Sequence, residues 1–154
     1  MTVFTRESLD KYISDTIILE SKLRELQSQT QEACEVGGNV WHDNASYEDL
    51  KNQISGLDWQ IKERYVIINE AEVVEYPKKV DRVCLGSNVT YLQNGEKREI
   101  QIVAFGEENP REGRVNYQSP LARALIGKNC GEIIELQLRE GPKSLEILAI
   151  QPIN

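Results

Sequence analysis

The residue types best suited to chemistry lie together in residues 37–49, which read Gly-Gly-Asn-Val-Trp-His-Asp-Asn-Ala-Ser-Tyr-Glu-Asp. The stretch holds the only histidine of the chain, His42, next to Asp43. Carboxylate oxygens are hard ligands of the kind Mg²⁺ prefers, but one or two side chains do not make a tight metal centre. Asp43 suits the N-cap of a following helix equally well. Glu48 and Asp49 then fall in the first turn, where acidic side chains favour the helix dipole.

Two long segments with a 3.5-residue hydrophobic repeat flank this stretch. The first is predicted to be helical over residues 5–34, and the second from Asp43 or Asn44 to about Glu72. Both alternate spacings of three and four between apolar residues, which is the pattern of a coiled coil. The seam positions are Leu9, Tyr12, Thr16, Leu19, Leu23, Leu26, Thr30 and Ala33, followed by Tyr47, Leu50, Ile54, Leu57, Ile61, Arg64, Ile68 and Ala71.

The short connection between these segments predicts an antiparallel helical hairpin with residues 37–49 at its tip. Thr5 is a candidate N-cap for the first helix, and Gly37 with Gly38 ends it. At about 1.5 Å of rise per residue, each arm is roughly 40 Å long and carries the tip far from the base. The pattern alone also fits a structural or dimerising coiled coil.

Beyond Pro77-Lys78-Lys79, which we interpret as a linker, the hydrophobic period changes from 3.5 to 2. Asn94-Gly95 is a strong hairpin-turn signal, and a second turn is predicted at Gly141-Pro142. Ser119 suits the N-cap, Pro120 the first position and Gly127 the end of a two-turn helix. Four strands are predicted, at residues 87–93, 98–105, 132–138 and 144–150, with a loop at 107–113. The expected class is α+β: a helical hairpin over residues 1–76, then an antiparallel sheet with one short helix over 80–154.

Charge separates the same two parts of the chain, whose net charge is −7. Residues 1–76 carry 7 lysines and arginines against 15 aspartates and glutamates, whereas residues 77–154 carry 11 against 10. The acidic first part is a poor direct ligand for nucleic acid but suits a basic channel or a cation-dependent site. No apolar run approaches the roughly 20 residues that span a bilayer. Three widely spaced cysteines predict reduced thiols and a cytoplasmic location.

The run Ser119-Pro-Leu-Ala-Arg-Ala-Leu-Ile-Gly127-Lys-Asn-Cys-Gly131-Glu closely resembles the C-terminal signature of the bacterial GreA/GreB transcript-cleavage factors. That signature reads roughly S-P-L-x-R-A-L-I-G-K-x-x-G-D. The runs Gly86-Ser-Asn-Val-Thr and Gln101-Ile-Val are also similar to strands of this family. The loop that ends in Gly113-Arg-Val-Asn-Tyr-Gln-Ser and the order of hairpin and sheet fit the same pattern. The resemblance covers nearly the whole chain.

The resemblance implies an FKBP-like second domain that docks on bacterial RNA polymerase, and a hairpin that enters the polymerase's secondary channel. Carboxylates at the tip would help to hold Mg²⁺ at the polymerase active site, where the polymerase cleaves its own backtracked transcript. This protein would then be a cofactor of a nuclease and not an enzyme, with only indirect contact with nascent RNA. We expect it to act as a monomer and away from membranes.

The family tip reads G-D-L-x-E-N-A-E-Y, and the match to it is incomplete. Asn44, Ala45 and Tyr47 agree, Asp43 replaces a glutamate, and Trp41 replaces the leucine. The remaining positions hold Val40, or Asn39 if one residue is inserted, at the aspartate, and Ser46 at the second glutamate. One metal-binding carboxylate is therefore missing, which leaves two hypotheses open: a factor that stimulates cleavage through Asp43, or a channel-binding regulator or inhibitor with little cleavage activity. The predicted tip contacts are Val40, Trp41, His42 and Asn44.

The resemblance assigns polymerase contact to Ser119, Pro120 and Leu121, beside their role in the short helix. Tyr117 and Arg123 could share that surface, and Leu121 should lie partly in the core with Ala124 and Leu125. A prolyl isomerase is disfavoured because the sheet domain has only three aromatics, Tyr91, Phe105 and Tyr117. An interaction protein unrelated to polymerase stays open as a third alternative.

Overall fold

The computed structural model describes residues 1–37 and 45–153, with the side chains of residues 1–31 and 47–153. The elements are β1 (Thr2–Phe4), α1 (Arg6–Gly37), α2 (Ala45–Asn69), β2 (Ala71–Val73), β3 (Ser87–Gln93), β4 (Glu96–Val103), a 3₁₀ helix (Pro110–Glu112), β5 (Arg114–Asn116), α3 (Pro120–Leu125), β6 (Ile133–Leu138) and β7 (Gly141–Pro152). They form two compact units. The helical unit is Leu9–Ala71 with Met1, and the sheet unit is Thr2–Ser8 together with the chain from Glu72 onward.

In the helical unit, α1 and α2 pack along the predicted seam. Every seam position with a described side chain is buried or half-buried, and most positions between them are exposed. Thr16 of α1 contacts Arg64 of α2, while Leu26 lines a groove with Gly56 and Leu57, so the two helices run antiparallel. The predicted hairpin is confirmed. Its second helix ends at Asn69 rather than near 72 because the chain turns there into β2.

The start of α1 is capped as the sequence predicts. The Thr5 Oγ1 accepts from the backbone N–H of Ser8 at 3.2 Å, and the Ser8 Oγ accepts from the N–H of Thr5 at 3.0 Å. These two bonds satisfy the backbone N–H groups of Thr5 and Ser8 at the start of the helix. The arrangement is a capping box in which serine takes the place of the usual glutamate or glutamine. The predicted caps of α2, Asp43 and Asn44, lie outside the described residues.

The sheet unit contains a five-stranded sheet with the order β5-β4-β3-β7-β6. Its central hairpin turns at Asn94-Gly95, where φ is +53° and +79°, as a type I′ turn requires. The sheet is mixed and not purely antiparallel, because β5 pairs parallel with β4. Residues 104–113 bring the chain back alongside β4 before β5 begins. The loop predicted over residues 107–113 is confirmed, and it contains the 3₁₀ helix. Strand β5 was not predicted, because a three-residue strand is too short to show periodicity.

The turn between β6 and β7 lies two residues earlier than predicted. Arg139 and Glu140 make the turn, while Gly141 and Pro142 already pair with Leu138 and Gln137 of β6. Proline is tolerated there because it stands next to the strand end, where one missing N–H donor costs little. The predicted strand 144–150 is correspondingly longer in the structure.

One side of the sheet, covered by α3, forms the core of the sheet unit. Its buried residues come from four strands, α3 and the segment before β3: Val83, Val89, Tyr91, Ile100, Ile102, Ala122, Leu125, Ile134, Leu136, Leu145 and Ile147. Cys84 and Cys130 are free thiols. Neither long helix, over its described residues, has an apolar stretch that could cross a bilayer.

The first residues of the chain belong to the sheet unit, although the sequence placed them in the first domain. The backbone of Val3 bonds at both ends: its N–H donates to the Tyr117 hydroxyl at 2.9 Å, and its carbonyl accepts from the Phe105 N–H at 3.0 Å. The Phe4 ring meets Phe105 edge-on, with centroids 5.3 Å apart. Strand β1 also pairs with β2. This segment therefore folds with the sheet unit through contacts that are remote in sequence.

A small polar cluster secures the same segment. The Thr5 Oγ1 donates to the Glu107 carboxylate at 2.8 Å, and the Tyr76 hydroxyl donates to the other oxygen of that carboxylate. The Tyr76 hydroxyl also accepts from the Ala104 N–H at 2.9 Å. Burial, reinforced by the bond to Glu107, raises the pKa of Tyr76 far above the ordinary 10.0. The folded protein thus holds this phenol in its neutral form.

Protein stability is expected to fall as pH rises above about 10, partly because of Tyr76. Its pKa is raised in the folded state, so its contribution is complete below the unfolded value of 10.0 and is lost as pH increases beyond that value. Urea unfolding at pH 8 and pH 11 measures the loss. Tyr76→Phe should reduce this pH dependence. Equal pH dependence in the wild type and Tyr76→Phe would contradict the assignment.

Candidate functional site

The two ends of α3 are formed as the sequence predicts. The Ser119 Oγ accepts from the Ala122 N–H at 3.2 Å, with Ser119 in an extended conformation and Pro120 at the first helical position. Ile126 closes the helix, and Gly127 follows with φ of +87°. The N-cap serine, the first-turn proline and the glycine after the helix each act on neighbouring residues, so the sequence alone could predict both ends of α3.

The faces of α3 separate its buried from its exposed residues. Ala122 and Leu125 are fully buried, whereas Leu121 and Ala124 pack partly against the core. The core positions expected for α3 are thus confirmed, and Ala122 is added to them. Pro120 is exposed and Ser119 is half-buried, so both reach the surface. Their role in binding a partner stays a prediction.

The two residues predicted to share this surface differ in what they contact. Tyr117 is half-buried, and its hydroxyl accepts from the Val3 N–H at 2.9 Å. Arg123 is exposed on the last turn of α3. Tyr117 therefore has a structural role in attaching β1, and Arg123 presents its charge to solvent beside Ser119 and Pro120.

Ser119→Ala is expected to lower the free energy of unfolding by about 1 kcal/mol, the usual cost of losing an N-cap. The Ala122 N–H then loses its side-chain acceptor. Ser119→Asp supplies another oxygen acceptor and should retain most of the stability. Chemical unfolding of the three proteins measures both differences, and equal losses in the two variants would rule out the capping role.

Leu121 also lines a cavity of about 330 Å³ at the end of the α3-covered side of the sheet. The cavity has an apolar floor and a rim of charged and polar side chains. The floor is formed by Tyr91, Leu121, Leu136, Leu138 and Leu145, and the rim by Gln93, Arg98, Arg139, Glu140 and Lys143. We call this the basic-rimmed cavity. Its size falls within the range of small-ligand and side-chain binding sites.

Sequence reasoning missed the basic-rimmed cavity because its charged residues come from separate elements. Arg98 lies on β4, Arg139 in the β6–β7 turn and Lys143 on β7. Burial raises the pKa of Tyr91, which keeps this floor residue neutral. The alternation of side chains along the strands could have placed Arg98 and Lys143 on one side, but only the strand order brings them together.

The aromatic residues do not support the prolyl isomerase alternative. Of the three considered, Tyr91 lines the basic-rimmed cavity, whereas Phe105 packs on Phe4 and Tyr117 bonds Val3. A pocket for proline would need several aromatics to converge. Within the described residues these three contribute to different places.

The predicted tip, residues 37–49, falls in sequence between the end of α1 and the first turns of α2. Its five candidate residues, Val40, Trp41, His42, Asp43 and Asn44, lie outside the described residues. Nearby, Glu48 is in the first turn of α2, and the Asp49 carboxylate accepts from the Gln53 side chain at 2.9 Å. Glu48 is thus in the first turn as predicted, whereas Asp49 lies one residue beyond it and has the Gln53 side chain as its partner. In the described part of the chain, no three histidine, cysteine, aspartate or glutamate side chains converge as a metal site.

Together these features define a class of α+β protein in which an antiparallel helical hairpin is joined to a small mixed sheet with one short α-helix. The family model described as "Transcription elongation factor, GreA/GreB, C-term" matches residues 77–152. The transcription elongation factor GreA of Paracoccus denitrificans is 36% identical over 143 residues, which is 86% of this chain and 90% of that protein. GreA of Lactococcus lactis subsp. cremoris is 35% identical over 111 residues, or 70% of this chain and 71% of that protein. The chain belongs to the GreA/GreB family.

Among solved structures, GreA factor homolog 1 of Thermus thermophilus is 21% identical, with a TM-score of 0.46. The match covers 97% of this chain and 98% of that one.

Proposed function

We propose that this chain is a transcription elongation factor that binds RNA polymerase and stimulates cleavage of backtracked transcripts. The observation that carries the proposal is the 36% identity to a protein named transcription elongation factor GreA over 86% of the chain. That match spans hairpin and sheet alike. The sequence similarity to this family therefore extends beyond the C-terminal signature.

The charge and shape of the helical unit agree with insertion into a basic channel. Residues 1–76 carry 15 acidic side chains against 7 basic ones, so a positively charged channel would attract them. The helices α1 and α2 pack as an antiparallel pair, which supports a hairpin whose connecting residues would enter the channel first.

The chemical contribution of this chain would be one carboxylate, that of Asp43. Mg²⁺ bound at the polymerase active site would polarise the scissile phosphate and activate a water molecule. Asp43 would orient that water or complete the metal's oxygen ligands, while Trp41 and His42 contact the surrounding polymerase. Because the second family carboxylate is absent, the polymerase must supply the remaining ligands.

The decisive experiment uses stalled, backtracked elongation complexes of bacterial RNA polymerase carrying 5′-labelled RNA. Addition of the protein should shorten the RNA and leave a 3′ end that nucleotides can extend. Asp43→Asn should slow shortening at least tenfold. Asp49→Asn is the matched control, because Asp49 bonds Gln53 within α2 and should leave the rate unchanged.

Two outcomes would contradict the proposal. Failure to bind polymerase at all would overturn it entirely and favour an unrelated coiled-coil interaction protein. Binding that blocks an authentic cleavage factor without shortening the RNA would instead identify a channel-binding inhibitor.

A further inference from the structure

Strand β6 forms an open edge of the described sheet. It stands last in the sheet order, next to β7. Just before β6 begins, the Glu132 carbonyl accepts from the Ile147 N–H of β7 at 3.0 Å. Antiparallel strands exchange such bonds at every second residue, so the backbone groups of residues 133, 135 and 137 point away from β7. An edge of this kind is a template for pairing with a further strand.

The same three residues of β6 direct their side chains to the side of the sheet opposite α3. Successive side chains of a strand alternate between its faces, and Ile134 and Leu136 belong to the core that α3 covers. Ile133, Glu135 and Gln137 therefore face the other side, and all three are exposed. Ile133 is 68% exposed, which is unusual on an edge strand, because such edges are normally protected by charged side chains.

A groove of about 250 Å³ lies beside Ile133 on this side of the sheet. Leu92 of β3 and Glu146 of β7 also line it. Glu146 is the cross-strand partner of both Leu92 and Ile133, so its carboxylate stands between two aliphatic side chains. The groove therefore places hydrocarbon and a negative charge within reach of one ligand strand.

The charge of this side favours a basic partner. Over β3, β4, β6 and β7, the strand register puts three carboxylates here, those of Glu99, Glu135 and Glu146, against one cation, Lys97. Glu135 and Glu146 are exposed, and neither forms an ion pair within the part of the chain that the structure describes. The basic-rimmed cavity lies on the other side of the same sheet. The two sides thus attract ligands of opposite charge.

We propose that the β6 edge is a docking strand for an extended basic segment of another protein. The segment adds to the sheet beside β6, as peptides commonly do at an open edge. Its backbone bonds to residues 133, 135 and 137. One apolar side chain packs on Ile133, and lysines or arginines pair with Glu135 and Glu146. The inference goes beyond the proposed function and does not rest on it.

The chemistry of the edge can be tested with a fluorescein-labelled nine-residue peptide. Serine occupies every odd position, and leucine and lysine take the even positions in turn, so leucine and lysine share one face of the extended peptide. Fluorescence anisotropy with the full chain should show saturable binding that weakens with salt. A peptide with serine in place of leucine, and one with glutamate in place of lysine, should each bind at least tenfold more weakly.

Two pairs of variants separate strand addition from general attraction. Gln137→Pro removes an N–H that points to the free edge and leaves the bonds to β7 intact. It should weaken peptide binding at least tenfold, whereas Gln137→Ala should stay within twofold of the wild type. Glu135→Lys/Glu146→Lys should also lose at least tenfold. Glu72→Lys/Glu112→Lys, which makes the same change in net charge at exposed residues outside β6 and β7, should stay within threefold.

Three results would overturn the docking strand: wild-type affinity in Gln137→Pro, equal losses in the two charge variants, or equal binding of the peptide that lacks leucine. If circular dichroism shows that Gln137→Pro does not fold, the charge variants and the peptides decide. Transcript cleavage is measured separately. Loss of peptide binding leaves the proposed function standing, and a chain that binds the peptide without aiding cleavage overturns the proposed function alone.

Discussion

Replacing Gly86 with alanine is expected to lower the free energy of unfolding of the sheet unit by about 3 kcal/mol. Gly86 has φ of +86°, and a Cβ at this position would lie 2.8 Å from the Cβ, Cγ and Cδ1 atoms of Tyr76. A left-handed conformation costs a residue with a side chain about 1 kcal/mol or more. Forcing an extra methyl group into a packed site typically costs a further ~1–3 kcal/mol.

The backbone around Gly86 has little freedom to relieve this overlap. Its N–H donates to the Ile102 carbonyl at 2.8 Å, and its carbonyl accepts from the Ile153 N–H at 2.9 Å. Tyr76 is held in turn by its bonds to Ala104 and Glu107. Any shift that makes room for the methyl group would weaken one of these bonds.

Gly127→Ala is a matched control for Gly86→Ala. Gly127 has almost the same φ, +87°, but a Cβ there meets nothing within 4 Å. It should therefore show the conformational cost alone, about 1 kcal/mol. Urea unfolding followed by circular dichroism measures both variants. Equal losses would mean that the Tyr76 overlap does not limit the site.

Replacing Arg64 with methionine should lower the free energy of unfolding of the helical unit by about 3 kcal/mol. Arg64 occupies a seam position, where its Nε donates to the Thr16 Oγ1 at 2.8 Å and its Nη2 donates to the Tyr12 carbonyl at 3.0 Å. Its guanidinium carbon lies 3.7 Å from the centre of the Tyr12 ring. Hydrogen bonds to a charged group contribute about 1.5–3 kcal/mol each, and methionine retains only the packing of the apolar stem.

Lys62→Met provides the comparison on the same helix. Lys62 pairs with Asp58 at 2.8 Å, but its side chain is 75% exposed, and such pairs contribute less than about 1 kcal/mol. Arg64→Lys should fall between the two variants, because lysine keeps the charge but cannot donate as a planar fork. A loss in Lys62→Met as large as that in Arg64→Met would contradict the assigned role.

Arg64 is also expected to fix the register in which α1 and α2 pair. A polar residue in a coiled-coil seam can fix the register, because a slipped alignment leaves it without its partners. Here a shift of one turn would separate Arg64 from Thr16 and Tyr12. Cross-linking of cysteine pairs across the hairpin should therefore report one register in the wild type and additional registers in Arg64→Met.

The sequence by itself determined the features that depend on short-range patterns. The seam of the hairpin follows from a 3.5-residue period sustained over many turns, which few other structures satisfy. The turn at Asn94-Gly95 and the ends of α3 at Ser119 and Gly127 follow from residues whose backbone preferences or side-chain oxygens act within three or four positions. The family could be recognised in the same way, from the long contiguous run that begins at Ser119.

Only the tertiary structure decided which distant segments come together. It placed Thr2–Ser8 in the sheet unit, paired β5 parallel with β4, and brought Tyr76 against Gly86 and Glu107. It also assembled the basic-rimmed cavity from separate strands and a turn. Three-residue strands and residues tens of positions apart leave no periodic signal, because their stability comes from neighbours that the fold supplies.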